Sequence, residues 1–261
     1  MFNVISFYKF KKLDEAGLKN LVEKLKSIAE ADNWLGLIIL ANEGANGTIA
    51  NANKEALLKL KNFLCEFFED QNIDFKESTA KQVPFKRFKI KVRPEIVTIG
   101  RPDLFPDGDF GHLSPKEWHA ALNEKDENTV LIDTRNWYET EVGIFQGAID
   151  PKMEMFTEFE GYVKKAEIPK DKKIMMYCTG GIRCEKASLL MKDMGYDNVF
   201  QLKGGILKYM EEFPEGKFDG ECFVFDHRVA VNKDLNQSEV FALCPLCGNP
   251  GTEKITCIKC D

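Results

Sequence analysis

Ile174-Met175-Met176-Tyr177-Cys178-Thr179-Gly180-Gly181-Ile182-Arg183-Cys184-Glu185-Lys186-Ala187-Ser188 is the stretch that decides the fold. Its apolar start predicts a buried strand, the glycines that follow predict a tight loop, and Leu189, Leu190 and Met194 predict an amphipathic helix. Cys178 therefore stands at a strand-to-helix turn. There the loop amides converge on sulfur and the positive end of the helix dipole favours thiolate over thiol, so the residue reads as a nucleophile.

Working outward, Val130-Leu131-Ile132-Asp133 reads as a second short buried strand, followed by Gly147-Ala148-Ile149 after a polar loop. Val199-Phe200-Gln201-Leu202 is another, leading through Gly204-Gly205 into a helical run. Strands alternating with helices predict a parallel α/β sheet whose site lies beyond the carboxyl ends of the strands. Cys178 and Asp133 both fall at such ends. Ser114-Pro115-Lys116-Glu117 has the pattern of a capped helix start and opens this domain.

Before it, residues 2–10 and 34–41 read as strands, and Leu18, Leu21, Val22, Leu25 and Ile28 repeat at helical spacing behind Asp14 as cap. Asn42-Glu43-Gly44-Ala45-Asn46-Gly47 reads as a turn into a short strand at 48–50, either a functional loop or simple turn chemistry. A second helix follows through Leu57, Leu60, Leu64, Phe67 and Phe68, then strands at 74–77 and 87–92. The order β-α-β-β-α-β predicts a ferredoxin-like, acylphosphatase-like α+β domain over 1–95. A proline-rich linker at 96–115, an α/β domain at 116–217 and a Cys-rich segment at 218–261 complete the expected division.

Residues 76–93 hold seven basic side chains and one acid, on a chain of 261 residues with formal charge −6. Arg87, Lys89, Lys91 and Arg93 alternate with apolar residues and share one strand face. Such a face either contacts a phosphate backbone or is a solvated edge that discourages aggregation. The overall acidity argues against a protein that coats nucleic acid non-specifically. No apolar run of membrane-spanning length and no signal-peptide pattern is evident, so the chain is expected in the cytoplasm, where thiols stay reduced. Eight cysteines are then nucleophiles or ligands. Cys244-x2-Cys247 and Cys257-x2-Cys260, nine residues apart, can wrap one structural zinc.

Arg183 follows Cys178 with four intervening residues, Thr179, Gly180, Gly181 and Ile182, one fewer than in the Cys-x5-Arg loop of tyrosine phosphatases. The shorter loop suits sulfur or another small group better than phosphate. Cys-Thr-Gly-Gly-Ile-Arg, with Leu-Ile-Asp-Thr-Arg at 131–135, Gly-Ala-Ile at 147–149 and Leu-Lys-Gly-Gly-Ile at 202–206, resembles a rhodanese domain. The stretches at 92–100, 113–118, 178–188 and 220–226 resemble, more closely, the oxygen-dependent tRNA uridine hydroxylases, rhodanese-domain proteins of the UPF0176 type.

That resemblance implies a tRNA-modifying oxidoreductase that forms 5-hydroxyuridine at the wobble position. It implies Cys178 as the active residue, tRNA as partner and molecular oxygen as co-substrate, with no organic cofactor evident. Arg183 and the loop amides are expected to stabilise developing negative charge, and the cations at 87, 89, 91 and 93 to contact RNA. A persulfide-forming sulfurtransferase and a non-catalytic RNA-binding protein are the alternatives. Cys184 reads either as a resolving thiol or as a buried helix residue, and the oligomeric state is left open.

Overall fold

Nine residues of alternating size and polarity, Phe2–Phe10, form strand β1, which buries Ile5 and Phe7 on one face and Val4 on the other. In the computed structural model, which describes residues 1–124, 126–245 and 247–252, the chain divides into units at Met1–Asp107 and Gly108–Asp261. The first unit continues with α1 (Glu15–Asp32), β2 (Leu35–Ala41), β3 (Gly44–Asn51), α2 (Lys54–Phe68), β4 (Lys76–Ala80) and β5 (Phe88–Val92). Asp14 caps α1 by accepting from the Gly17 amide at 2.7 Å.

The sheet order is β4-β1-β3-β2-β5, antiparallel between neighbours except for the parallel β2–β5 pair. The first four strands have the order expected of a ferredoxin-like domain, and β5 extends the sheet as an edge. Leu21 and Leu25 of α1 and Leu57, Leu60 and Leu64 of α2 pack on Ile5, Ile38, Leu40 and Ile49. Each such buried aliphatic side chain contributes roughly 1.5–3 kcal/mol to the core.

The expected turn at 42–47 is shorter: only Asn42 and Glu43 turn, and Gly44 already opens β3. The cause is backbone packing. A Cβ on Gly44 (φ +136°) would stand 2.0 Å from the Lys9 carbonyl oxygen, so this glycine lets β3 close against β1. The polar side chains next to it are structural. Glu43 accepts from the Ile96 amide at 2.6 Å, and the Asn46 side chain donates to the Ile96 carbonyl at 3.0 Å.

Arg87, Lys89, Lys91 and Arg93 are exposed along β5, while Phe88 and Ile90 pack on the core. Lys76, counted in the same basic stretch, lies in β4 at the opposite edge. It is buried, paired with Asp74 at 2.8 Å and placed 5.0 Å over the Tyr8 ring.

The second unit is built from β6 (His112–Leu113), α3 (Pro115–Glu124), β7 (Thr129–Asp133), α4 (Trp137–Thr140), β8 (Gly143–Phe145), α5 (Phe159–Ala166), β9 (Lys173–Tyr177), α6 (Ile182–Asp193), β10 (Val199–Leu202) and α7 (Gly205–Glu212). Its sheet, β6-β10-β9-β7, is wholly parallel. Ser114 and Glu117 cap α3 reciprocally: the Ser114 amide donates to Glu117 Oε2 at 2.8 Å, and the Glu117 amide donates to Ser114 Oγ at 3.3 Å. The stretch expected to link the domains is thus divided. Ile96 and Ile99 are buried in the first unit, and His112–Leu113 is a strand of the second sheet. Residues 147–149 contribute a single parallel bridge, Ile132 to Ile149.

Beyond α7 the chain returns to the core of this unit in two small two-stranded pairs. Strand β11 (Phe218–Gly220) pairs with β8, β12 (Cys222–Phe223) pairs with β13 (Ala230–Val231), and Cys222, Val224 and Val231 join the core around Trp118 and Tyr177. A last hairpin, β14 (Phe241–Leu243) with β15 (Pro250–Thr252), closes the described part.

Candidate active site around Cys178

Strand β9 lies between β7 and β10, and Ile174 to Tyr177 are fully buried there, so an apolar run delivers Cys178 to the carboxyl end of the sheet. The chain reverses at Gly181, whose φ of +102° favours glycine, and α6 starts at Ile182. Thr179 and Gly180 form the bend between them. The Gly181 amide donates to Cys178 Sγ at 3.1 Å.

The carbonyls of this loop are satisfied from the other side. Ile206 and Leu207, in the first turn of α7, donate to the oxygens of Cys178 and Thr179 at 3.0 and 3.1 Å. A Cβ on Gly205 (φ +69°) would stand 2.6 Å from the Cys178 oxygen, so the glycine is what lets α7 approach. With its acceptors bound to α7, the loop turns donors toward sulfur.

Cys178 is 1% exposed. Burial pushes its thiol up, but a hydrogen bond from the Cys184 thiol, the Arg183 guanidinium, and the amides of Arg183 and Gly181 outweigh burial and bring it down to about 6. Cys184 moves the other way, pushed well above the ordinary thiol range by burial and then by its bond to Cys178. Thr134 Oγ1 lies 3.6 Å from Cys184 Sγ. At neutral pH the pair therefore holds one proton, and Cys184 carries it.

Arg183 does not project freely from the loop. Its fork is taken by Glu139: Nη1 to Oε2 at 2.6 Å and Nη2 to Oε1 at 2.7 Å. Glu139 is fully buried, and burial opposes its charge, yet Arg183 holds its carboxyl below the usual range. The Thr179 hydroxyl donates to Glu139 Oε1 at 3.3 Å, and the Asn136 amide to Oε2 at 3.1 Å. Sequence reasoning missed Glu139. Its one local signal is the capping box Asn136-x-x-Glu139, which starts α4.

Asp133, at the end of β7, holds Arg135. Arg135 Nη2 donates to Asp133 Oδ2 at 2.7 Å and to the Gly143 carbonyl at 2.6 Å, with both side chains fully buried. Cys222 is pushed up to about 12, chiefly by burial, and stays a thiol.

Helix α6 is not the amphipathic helix expected. Arg183, Cys184, Glu185, Lys186, Ala187 and Ser188 are all buried, and Arg183, Cys184 and Glu185 find partners inside the protein. Glu185 binds His112 Nε2 at 3.0 Å and accepts from Gln201 at 3.1 Å, which raises the His112 pKa.

The structure brings Cys178, Thr179, Gly181 and Arg183 together, with Gly180 and Ile182 completing the loop. Arg87, Lys89, Lys91 and Arg93 belong to the first unit. Cys244 and Cys247 flank a turn in which the Gly248 amide returns to the Cys244 carbonyl at 2.9 Å. Cys257 and Cys260 lie outside the described residues.

The profile of the UPF0176 acylphosphatase-like domain matches residues 2–96, that of the rhodanese-like domain residues 114–212, and that of the rhodanese C-terminal region residues 219–261. A protein of Bdellovibrio bacteriovorus named tRNA uridine(34) hydroxylase is 50% identical, over 99% of this chain and 73% of its own length. Proteins of the same name from Rhizobium leguminosarum bv. trifolii and Agrobacterium fabrum are 46% and 44% identical, over 91% and 97% of this chain and 77% and 80% of theirs.

The Cys178 environment predicts a pH profile. A pKa lowered to about 6 means that thiolate accumulates as pH rises through 6 and is nearly complete at neutrality, whereas an ordinary cysteine, at about 8.5, is still mostly thiol there. Iodoacetamide alkylation of Cys178, followed by peptide mass spectrometry, is expected to show that low midpoint. Cys184→Ala removes a hydrogen bond to the thiolate and is expected to raise it.

Proposed function

The chain belongs to the tRNA uridine(34) hydroxylase family, and from that membership we propose that it oxidises the wobble uridine of tRNA to 5-hydroxyuridine, with molecular oxygen as co-substrate. The observation that carries this assignment to particular residues is the buried thiolate at Cys178, with the Gly181 amide on its sulfur. With the fork of Arg183 occupied by Glu139, the loop lacks the free guanidinium that a phosphate would need. Because Cys178 is almost wholly out of water, its partner is a group that can leave its own surroundings to reach it. An unpaired wobble base, swung out of the anticodon loop, is such a group.

In this reading the Cys178 thiolate adds to C6 of the uracil ring, and the electron pair released toward C5 meets oxygen there. One oxygen atom stays on C5, the C5 proton is lost, and the thiolate leaves C6 to restore the ring double bond. The second oxygen atom departs as water, which takes two electrons and two protons from an external reductant. Loop amides and the Arg183 charge favour sulfur as the anion, which makes it a competent leaving group at the end as well as a nucleophile at the start.

The exposed cations of β5 position the RNA through its phosphates without reading sequence. The double variant Lys89→Ala/Lys91→Ala is expected to weaken tRNA binding and to lower the slope of log affinity against log salt by about two. An unchanged slope would make β5 a solvated edge. In the C-terminal segment the spacing of Cys244, Cys247, Cys257 and Cys260 suits one structural zinc, and the Gly248 amide returning to the Cys244 carbonyl is the kind of turn such sites use. Metal content of the purified full chain, near one zinc or near none, decides that point.

Nucleoside mass spectrometry tests the proposal itself. In cells where this protein is the sole source of 5-hydroxyuridine, Cys178→Ala is expected to abolish the nucleoside. Undiminished 5-hydroxyuridine would show that hydroxylation does not need Cys178, and loss of thiosulfate-to-cyanide sulfur transfer in the same variant would assign the thiol to sulfur transfer instead.

A further inference from the structure

Phe225 is 60% exposed, unlike Phe223 and Val224 before it, which are buried. It sits at the tip of the hairpin between β12 and β13, and that tip is rigidly braced. Arg228 donates from Nε to Asp226 Oδ1 at 2.8 Å and from Nη2 to Oδ2 at 2.6 Å, with both side chains buried. The Val224 amide closes on the Val229 carbonyl at 2.9 Å. A large apolar ring held in water by a buried ion pair gains nothing for folding from its exposure.

The ring is placed at the cysteine loop. Arg183 Cζ lies 5.9 Å from the Phe225 ring centroid, within cation–π range, and the same guanidinium lowers the Cys178 thiol. Phe223 meets Phe225 edge-to-face at 5.1 Å, and Tyr138 meets Phe223 in the same way at 5.4 Å, so the ring has an aromatic footing that fixes its tilt. What the loop lacks is any side chain that would hold a planar, uncharged group: Arg183 is bound to Glu139, and the amides face sulfur.

We propose that Phe225 is the stacking platform for the flipped substrate pyrimidine, and that it holds the ring beside Cys178. This rests on the tRNA reading of the same site and adds the residue that positions the base. Uracil stacks weakly on its neighbours in RNA, so an exposed aromatic face both favours its extrusion and orients its C5–C6 edge toward the sulfur. Stacking tolerates any base, so Phe225 supplies affinity for a base as such rather than choice among bases.

The test uses the full chain and two anticodon stem-loop RNAs, one with uridine at the wobble position and one abasic there. Wild-type protein is expected to bind the uridine RNA about tenfold more tightly than the abasic RNA. Phe225→Ala and Phe225→Leu are expected to bring the two affinities together while leaving the abasic affinity unchanged, and Phe225→Trp to keep the difference. A ratio unchanged in Phe225→Ala would overturn the proposal. So would equal weakening of both RNAs, or full retention by Phe225→Leu, each of which marks a purely structural or apolar role. The Cys178→Ala nucleoside measurement is independent of this ratio, so either reading can fail while the other stands.

Discussion

The site depends on one buried ion pair, Glu139 with Arg183. Two charges taken out of water are tolerable only as a pair with good geometry, and removing a single partner from such a pair costs about 3–5 kcal/mol. Here two parallel bonds, the Thr179 hydroxyl and the Asn136 amide satisfy the carboxylate. The pair anchors the first turn of α6 to α4 and leaves a fixed positive charge near Cys178. Burial alone would keep that cysteine neutral; with the Cys184 hydrogen bond, the Arg183 guanidinium and the amides around it, the thiolate is the stable form.

The rest of the second unit serves that arrangement. The parallel sheet brings Asp133 and Cys178 to the same edge, and α7 binds the loop carbonyls so that the loop amides face sulfur. The pattern Asp-x-Arg is used twice as an internal brace, at Asp133 with Arg135 and at Asp226 with Arg228. The second brace holds the tip that carries Phe225. Rigid support on this scale is what a reacting group needs when its neighbours must be placed to within a fraction of an ångström.

Much of this was legible in the sequence because it rests on local signals. The apolar run before Cys178, the glycines after it and the caps at Asp14 and Ser114 each determine their own few residues of backbone. Glu139 was not legible, since its partner is 44 residues away and nothing in periodicity records that distance. The return of 218–231 to the core was hidden for a similar reason: strands of two and three residues leave no period to read. In α6 the expected amphipathic stripe failed because the helix is enclosed on most sides, and the Arg183 and Glu185 charges are satisfied internally. In the stretch 42–47, Gly and Asn read as turn formers, where the structure uses Gly44 for close backbone approach within a sheet.

The central claim is that the Arg183 guanidinium, held in place by Glu139, joins the Cys184 hydrogen bond and the loop amides in making Cys178 a thiolate at neutral pH, and titration of thiolate absorbance in the double variant Glu139→Gln/Arg183→Gln tests it most directly. That variant removes both charges and leaves no orphaned ion. With the guanidinium gone, the Cys178 midpoint is predicted to rise from about 6 by one unit or more, roughly 1.4 kcal/mol per unit. A midpoint still near its original value would contradict the claim and assign the thiolate to Cys184 and the loop amides alone.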